Sequence, residues 1–310
     1  MQTRTLGRTD LRMSEITLGT WGLGSGSYGS VRPERFDETL RAAVERGVNT
    51  FDTAPVWGDA EERIGAVLEE TKADALVITR GGARLVDGRL QQSFGTEELV
   101  ADCEASLERL GREAIDLWLL HSPGDVTLGQ DGWREAIERL EEDGKIRAWG
   151  VSVGDAEEAR LAIDAGAQAI CITFNLLAHN DLEDLADGID DAGCGVLARS
   201  PLMYGMLAGR WAAGRRFAED DHRYRRWHRG AFEERVRQVD ALRYLVGPDH
   251  PDLATAALRF VLGQRTVTTA VLGARNPYQL GSAVDAADGP PYLSDDDLRR
   301  LAKVRVQTGI

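Results

Sequence analysis

Short apolar runs alternate with amphipathic stretches along the chain at a fairly regular spacing. The runs are ITLGTWG (16–22), NTFDTA (49–54), ALVITRG (75–81), IDLWLLHS (115–122), AWGVSV (148–153), AICITFN (169–175), GCGVLARSP (193–201) and TAVLGA (269–274). Most are apolar throughout, as expected of parallel strands buried on both faces. Between them, RFDETLRAAVERG (35–47) has apolar residues at helical spacing and ends in Gly47, a C-cap. TEELVADCEASLERLG (96–111) opens on Thr96, an expected N-cap, and GWREAIERLEEDG (132–144) closes on glycine. Eight strand–helix units in 310 residues predict one α/β domain over 1–310, a (β/α)₈ TIM barrel rather than an open doubly wound sheet. TRTLGRTDLRMSE (3–15) reads as a polar-turned hairpin capping the barrel bottom. The longest connection, 211–235, joins strands seven and eight and is dense in Arg, Asp and Glu. It reads as a solvated, partly mobile loop, with a lid over the site as the alternative.

Composition narrows the class. With 43% hydrophobic residues the chain can bury a large core. No apolar run has membrane-spanning length and MQTRTLGRTDLRM has no signal-peptide pattern, so a cytoplasmic protein is expected. A formal net charge of −14 makes duplex nucleic acid and anionic membrane poor partners, leaving small molecules as the expected ones. Cys103, Cys171 and Cys194 are scattered, with no CxxC and no Cys/His spacing for zinc, so no metal is expected. The oligomeric state is left open. Only Lys72, Lys145 and Lys303 are lysines among 37 basic residues.

In such a barrel the C-terminal ends of the strands converge on one mouth. The polar residues there are Asp52 and Thr53, Thr79 and Arg80, His121 and Ser122, Ser152, Asn175, Arg199 and Ser200, and finally Arg275. Each alone is compatible with a structural role. Asp52, Arg80 and His121 end three successive strands and are expected to face one cavity.

The blocks FDTAPVWG, LLHSP, GVSV, SPLMYGMLAGR and VLGARNPYQL, with LGTWGLG before them, resemble the aldo-keto reductase family in order and spacing over about residues 3–303. The resemblance implies a (β/α)₈ barrel that binds NADP(H) without a Rossmann motif and transfers hydride to an aldehyde or ketone. It also implies a catalytic set of Asp, Tyr, Lys and His. Asp52 and His121 match their positions, but the Tyr position is Trp57 and the Lys position is Arg80. The chain is also about two residues shorter than usual after Gly58. An indole N–H donates a hydrogen bond but releases no proton near neutral pH, so Trp57 cannot be the general acid. Losing such an acid costs about 10²–10⁴-fold in rate. His121, whose ordinary pKa is near neutral, is the first substitute acid, Tyr28 the second and Tyr204 a distant third.

The same resemblance assigns the cofactor residues. Gly273, Arg275 and Gln279 match the segment that holds the adenosine 2′-phosphate, although Ser282-Ala283 replace its usual Glu-Asn. Ser200, Leu202, Gly205 and Arg210 match the pyrophosphate-side loop, and Ser152 and Asn175 match positions that hold the nicotinamide carboxamide. Trp21 and Tyr28, with Trp57, are expected to line the substrate pocket. The reading is an NADP(H)-binding oxidoreductase with a remodelled site and weak or absent generic carbonyl reductase activity. The alternatives are an isomerase or lyase on the same barrel and a catalytically silent NADP(H)-binding regulator.

Overall fold

The computed structural model describes residues 1–287 and 292–310. Eight parallel strands close into a barrel in chain order: β1 (Ile16–Gly19), β2 (Thr50–Asp52), β3 (Leu76–Gly81), β4 (Leu117–His121), β5 (Trp149–Ser152), β6 (Ala169–Thr173), β7 (Gly195–Arg199) and β8 (Val267–Gly273). Each lies within or beside its predicted run. β1 is shorter than the run because the chain turns into a short helix at Trp21–Gly24. The surrounding helices are α1 (Pro33–Glu45), α2 (Ala60–Thr71), α3 (Thr96–Leu110), α4 (Gly132–Glu142), α5 (Ala156–Asp164), α6 (Ala186–Ala192), α7 (Leu253–Gly263) and α8 (Pro277–Ala286). The N-cap of α3 is Gly95, not Thr96, whose hydroxyl instead donates to the Gly132 carbonyl.

Strand periodicity sets the layers. Trp118, Leu120, Val151 and Ile172 point outward and pack under the helices. Ile78, Leu117, Leu119, Ala148, Ala169, Cys171, Leu197 and Val271 form the barrel interior. Because side chains alternate along a strand, Arg80, His121, Ser152 and Arg199 lie on the interior parity of their strands, one step above that core. The register places Asp52 beside Gly19 and Ile78, and His121 beside Ser152, which is in turn opposite Cys171.

The bottom is closed by the predicted hairpin, Thr3–Thr5 paired with Arg12–Ser14, whose Leu6, Leu11 and Met13 complete the interior core. A second hairpin, Ala83–Val86 paired with Arg89–Gln92, stands on the mouth side after β3 and was not foreseen. Its turn is Asp87-Gly88, both at positive φ.

The 211–235 connection is folded and packs against the loop after β1 on the mouth side of the barrel. It contains a helical turn at Arg223–Arg226 and the start of the helix Arg229–Ala241. Trp211, Phe217, Trp227 and Phe232 pack together with ring centroids 5.1–6.4 Å apart. Arg223 lies 4.8 Å over the Phe217 ring, so the basic residues are partners of the aromatic cluster.

Candidate active site

Asp52 and Arg80 are both almost fully buried, and their side chains approach to 2.7 Å. Arg80 also donates to the Thr53 carbonyl at 2.5 Å and lies 4.8 Å over the Trp57 ring. Burial pushes the Asp52 carboxyl up, opposed by Arg80 and then Arg199. A guanidinium does not give up its proton, and neutralising Asp52 alone would leave it uncompensated, so the pair persists as carboxylate and cation.

Trp57 is held by backbone rather than by its ring alone. A Cβ at Gly24 would stand 2.1 Å from the Trp57 carbonyl, and one at Gly58 would stand 2.6 Å from the Gly24 carbonyl. The loops after β1 and β2 therefore lie backbone to backbone, which only glycine permits. The Trp57 ring meets His121 edge-on at 6.4 Å.

His121 departs from its expected chemistry. Burial, then Arg80 and Arg199, push its pKa down to about 3, and its Nδ1 is buried without a partner. At neutral pH it is an uncharged imidazole that can donate one N–H, so the near-neutral acid expected from its ordinary pKa is not what the mouth provides. Tyr28, the second candidate acid, is also shifted away from acidity. Burial pushes its hydroxyl upward, against the lowering effect of Arg223. Its ring is wedged between Trp21 at 5.3 Å and His222 at 4.5 Å. Trp21 and Tyr28 thus form an aromatic box under the lid, joined by Tyr204, whose ring stacks against the Arg226 guanidinium at 3.8 Å.

The residues assigned to a nucleotide spread around the loops after β5 to β8. Arg275 and Gln279 stand at the N-terminus of α8, where the Asn276 side chain accepts from Gln279 N and Gln279 Oε1 accepts from Arg275 N. The Arg275 guanidinium donates to the Gly29 and Ser30 carbonyls at 2.9 and 3.3 Å, and its Nε is buried without a partner. Ser200, Met203, Tyr204 and Gly205 all have positive φ, so the loop after β7 is bent through conformations that cost about 1–3 kcal/mol at non-glycine positions. Leu202 and Gly205 are half-buried there, Arg210 and Gly273 are exposed, and Ser152 is buried at the end of β5. Asn175, just past the end of β6, braces the neighbouring loops. It is fully buried, its Oδ1 accepts from Leu177 N, and its Nδ2 donates to the Ser200 carbonyl.

Two mouth residues had been given no role. Cys171 lies 3.9 Å from Arg80, and Arg199 donates to the Val153 carbonyl while acting electrostatically on Asp52 and His121. Their interior parity on β6 and β7 was the available signal.

The Aldo/keto reductase family model matches residues 15–306. The chain is 29% identical over 304 residues to "Aldo-keto reductase YhdN" of Bacillus subtilis (strain 168), covering 96% of this chain and 91% of that protein. It is 27% identical over 329 residues to "NADH-specific methylglyoxal reductase" of Escherichia coli (strain K12), covering 96% and 97%. The structure of the glycerol dehydrogenase AKR11B4 from Gluconobacter oxydans superposes with a TM-score of 0.87 at 29% identity, over 99% of this chain and 96% of that one. The chain belongs to the aldo/keto reductase family. Among the described residues no helix is long and apolar enough to cross a membrane, and no His/Cys/Asp/Glu group could hold a metal ion.

Proposed function

We propose that the protein is an NADP(H)-dependent oxidoreductase acting on a carbonyl or alcohol substrate through a mouth in which a neutral imidazole and a guanidinium replace the usual acid. The observation that carries this reading is the Arg275 guanidinium at the α8 N-terminus, unneutralised by any carboxylate within ion-pair distance among the described residues. The bound nucleotide would supply the hydride to the substrate carbon. Arg275 would hold the 2′-phosphate, Gln279 would fix the turn that presents it, and the loop Ser200–Gly205 would bend around the pyrophosphate. His121 would donate its N–H to the substrate oxygen, and Arg80 would stabilise the charge that develops there. Asp52 would keep Arg80 in place, and Trp57 would wall the oxygen site with its indole. None of these groups releases a proton readily near neutral pH, so the proton would come from water and reduction of simple aldehydes would be slow by about 10²–10⁴-fold.

The test is calorimetric titration with NADPH and NADH. NADPH is expected to bind at least tenfold more tightly, and Arg275→Ala is expected to abolish that preference. Equal affinities in the unmodified protein would remove the 2′-phosphate assignment. The Trp57 replacement favours one second reading, a silent nucleotide-binding protein. Tight NADPH binding without single-turnover oxidation by any carbonyl would establish it.

A further inference from the structure

At the end of β7 the mouth holds a guanidinium with no carboxylate beside it among the described residues. Asp52 is already paired with Arg80 at 2.7 Å. Arg199 ends β7 on the interior parity and is half-buried. Among the described residues its one side-chain hydrogen bond is to a backbone carbonyl, Val153 O, at 2.7 Å, and its Nε is buried with no partner. No carboxylate among the described residues lies within ion-pair distance of it. Around the barrel wall the pattern is the opposite: Arg4 meets Glu15, Arg109 meets Glu61, and Arg112 and Arg147 both meet Asp116, each carboxylate almost fully buried. A chain of net charge −14 has acids in excess, yet none is placed against Arg199.

We infer that Arg199 reads a carboxylate on the substrate, so that the preferred substrate is an oxo acid or hydroxy acid rather than a neutral carbonyl compound. A half-buried guanidinium is costly while unpaired and strongly favours an anion that desolvates with it. The planar fork of Arg matches a carboxylate in bidentate geometry. Within the group Asp52, Arg80 and Arg199 the surplus is one positive charge, which a monocarboxylate balances. His121, uncharged, adds nothing to that surplus and is free to serve the reacting oxygen.

This inference rests on the oxidoreductase reading, so the experiment separates the two. Glyoxylate, 4-oxobutanoate and 4-formylbenzoate, three carbonyl-to-carboxylate spacings, are each compared with the corresponding amide by NADPH oxidation. Butanoate and benzoate, which have no reducible carbonyl, are titrated calorimetrically against the protein–NADPH complex beside butanamide and benzamide. At least one acid is expected to exceed its amide more than tenfold in kcat/KM, and its non-reducible counterpart to show the same preference in binding. Arg199→Met is expected to bring both ratios close to one without changing the NADPH dissociation constant, and Arg199→Lys, which keeps the charge and controls for folding, to retain most of the preference. Preferential binding of the acids without NADPH oxidation would uphold the anion site and end the oxidoreductase reading. Amides turned over as well as acids would overturn the anion site and leave that reading standing. An Arg199→Met variant that loses NADPH affinity with its acid-to-amide ratio unchanged would also overturn it, giving Arg199 to the nucleotide.

Discussion

At the scale of single residues, the mouth is a chain of dependences centred on Arg80. Its guanidinium meets Asp52, the Thr53 carbonyl and the Trp57 ring at once, which takes a planar fork and a flat cation. A lysine ammonium cannot satisfy all three, and without a hydroxyl at position 57 it would have nothing to acidify. Trp57→Tyr or Arg80→Lys alone is therefore expected to give no gain in NADPH oxidation with a small aromatic aldehyde. The double variant is expected to exceed the combined effect of the singles, as residues acting as one unit do. A double variant no better than its parent would show that the pocket has diverged beyond these positions. His121 adds a pH signature. Its folded pKa, about 3, lies below the ordinary value near 6.5, so the unfolded chain binds the extra proton first. Stability tied to the neutral ring is complete above about pH 6.5 and falls as pH drops toward 3, by at most about 1.4 kcal/mol per pH unit. Urea unfolding of the parent and His121→Gln at pH 7, 6 and 5 should show the parent losing more. Parallel pH curves would place His121 in solvent. Of this scale the sequence showed identities and parity, since Asp52, Arg80 and His121 do converge. It could not show that two guanidiniums and burial would strip His121 of its acidity, because that depends on distances across four strands.

At the scale of elements, the lid and the loop after β1 are locked together over the aromatic box. His222 N donates to the Ser27 carbonyl at 2.8 Å, Tyr28 bridges to Asp221, and Arg223 pairs with Asp221 while lying 4.7 Å over the Tyr28 ring. Arg275 donates through one Nη to the carbonyls of Gly29 and Ser30 in the same loop, so on the proposed reading a 2′-phosphate would dock beside the loop that the lid holds. Nucleotide entry should therefore wait on release of this loop. Arg223→Ala, which removes both the ion pair and the ring contact, is expected to speed NADPH association several-fold in stopped-flow tryptophan fluorescence. An unchanged association rate would mean that the lid stays seated while the nucleotide enters. Strands and helices were legible here because each run kept one period over its length. The lid was not, because its aromatic residues 211, 217, 227 and 232 follow neither period and are diluted among charges that looked solvated. The Asp87-Gly88 hairpin carried a strong turn signal between short strands whose side chains are mostly exposed, so no hydrophobic alternation drew attention to it.

At the scale of the whole molecule, the barrel separates a mouth of strained turns and unpaired cations from a bottom in which charges are matched. Ser122, Ser200 and Tyr204 take up positive φ at the mouth. At the bottom Arg4 donates to Glu15 at 2.6 and 2.9 Å, to the Val267 and Leu262 carbonyls, and to the Tyr292 hydroxyl, which itself donates to Glu15 at 2.6 Å. This network bolts the N-terminal hairpin to the start of β8 and to the C-terminal end of α7. Glu15 is only 1% exposed, so removing Arg4 would leave a buried carboxylate with one donor. Arg4→Ala is expected to lower stability by about 3 kcal/mol, the scale of breaking a buried ion pair. That corresponds to a fall in Tm of several degrees, readable by calorimetry. The same variant should leave the NADPH dissociation constant unchanged, because no bond of the network reaches the mouth and the rigid interior layer of Ile78, Leu117, Leu119 and Leu197 stands between them. Replacing Arg4 and Glu15 together by Met and Leu should recover much of the loss, since an apolar pair has no charge to strand. A weakened nucleotide affinity in Arg4→Ala at a temperature well below its Tm would show that the two ends of the barrel are coupled, and the division of stability from chemistry would have to be abandoned for this molecule.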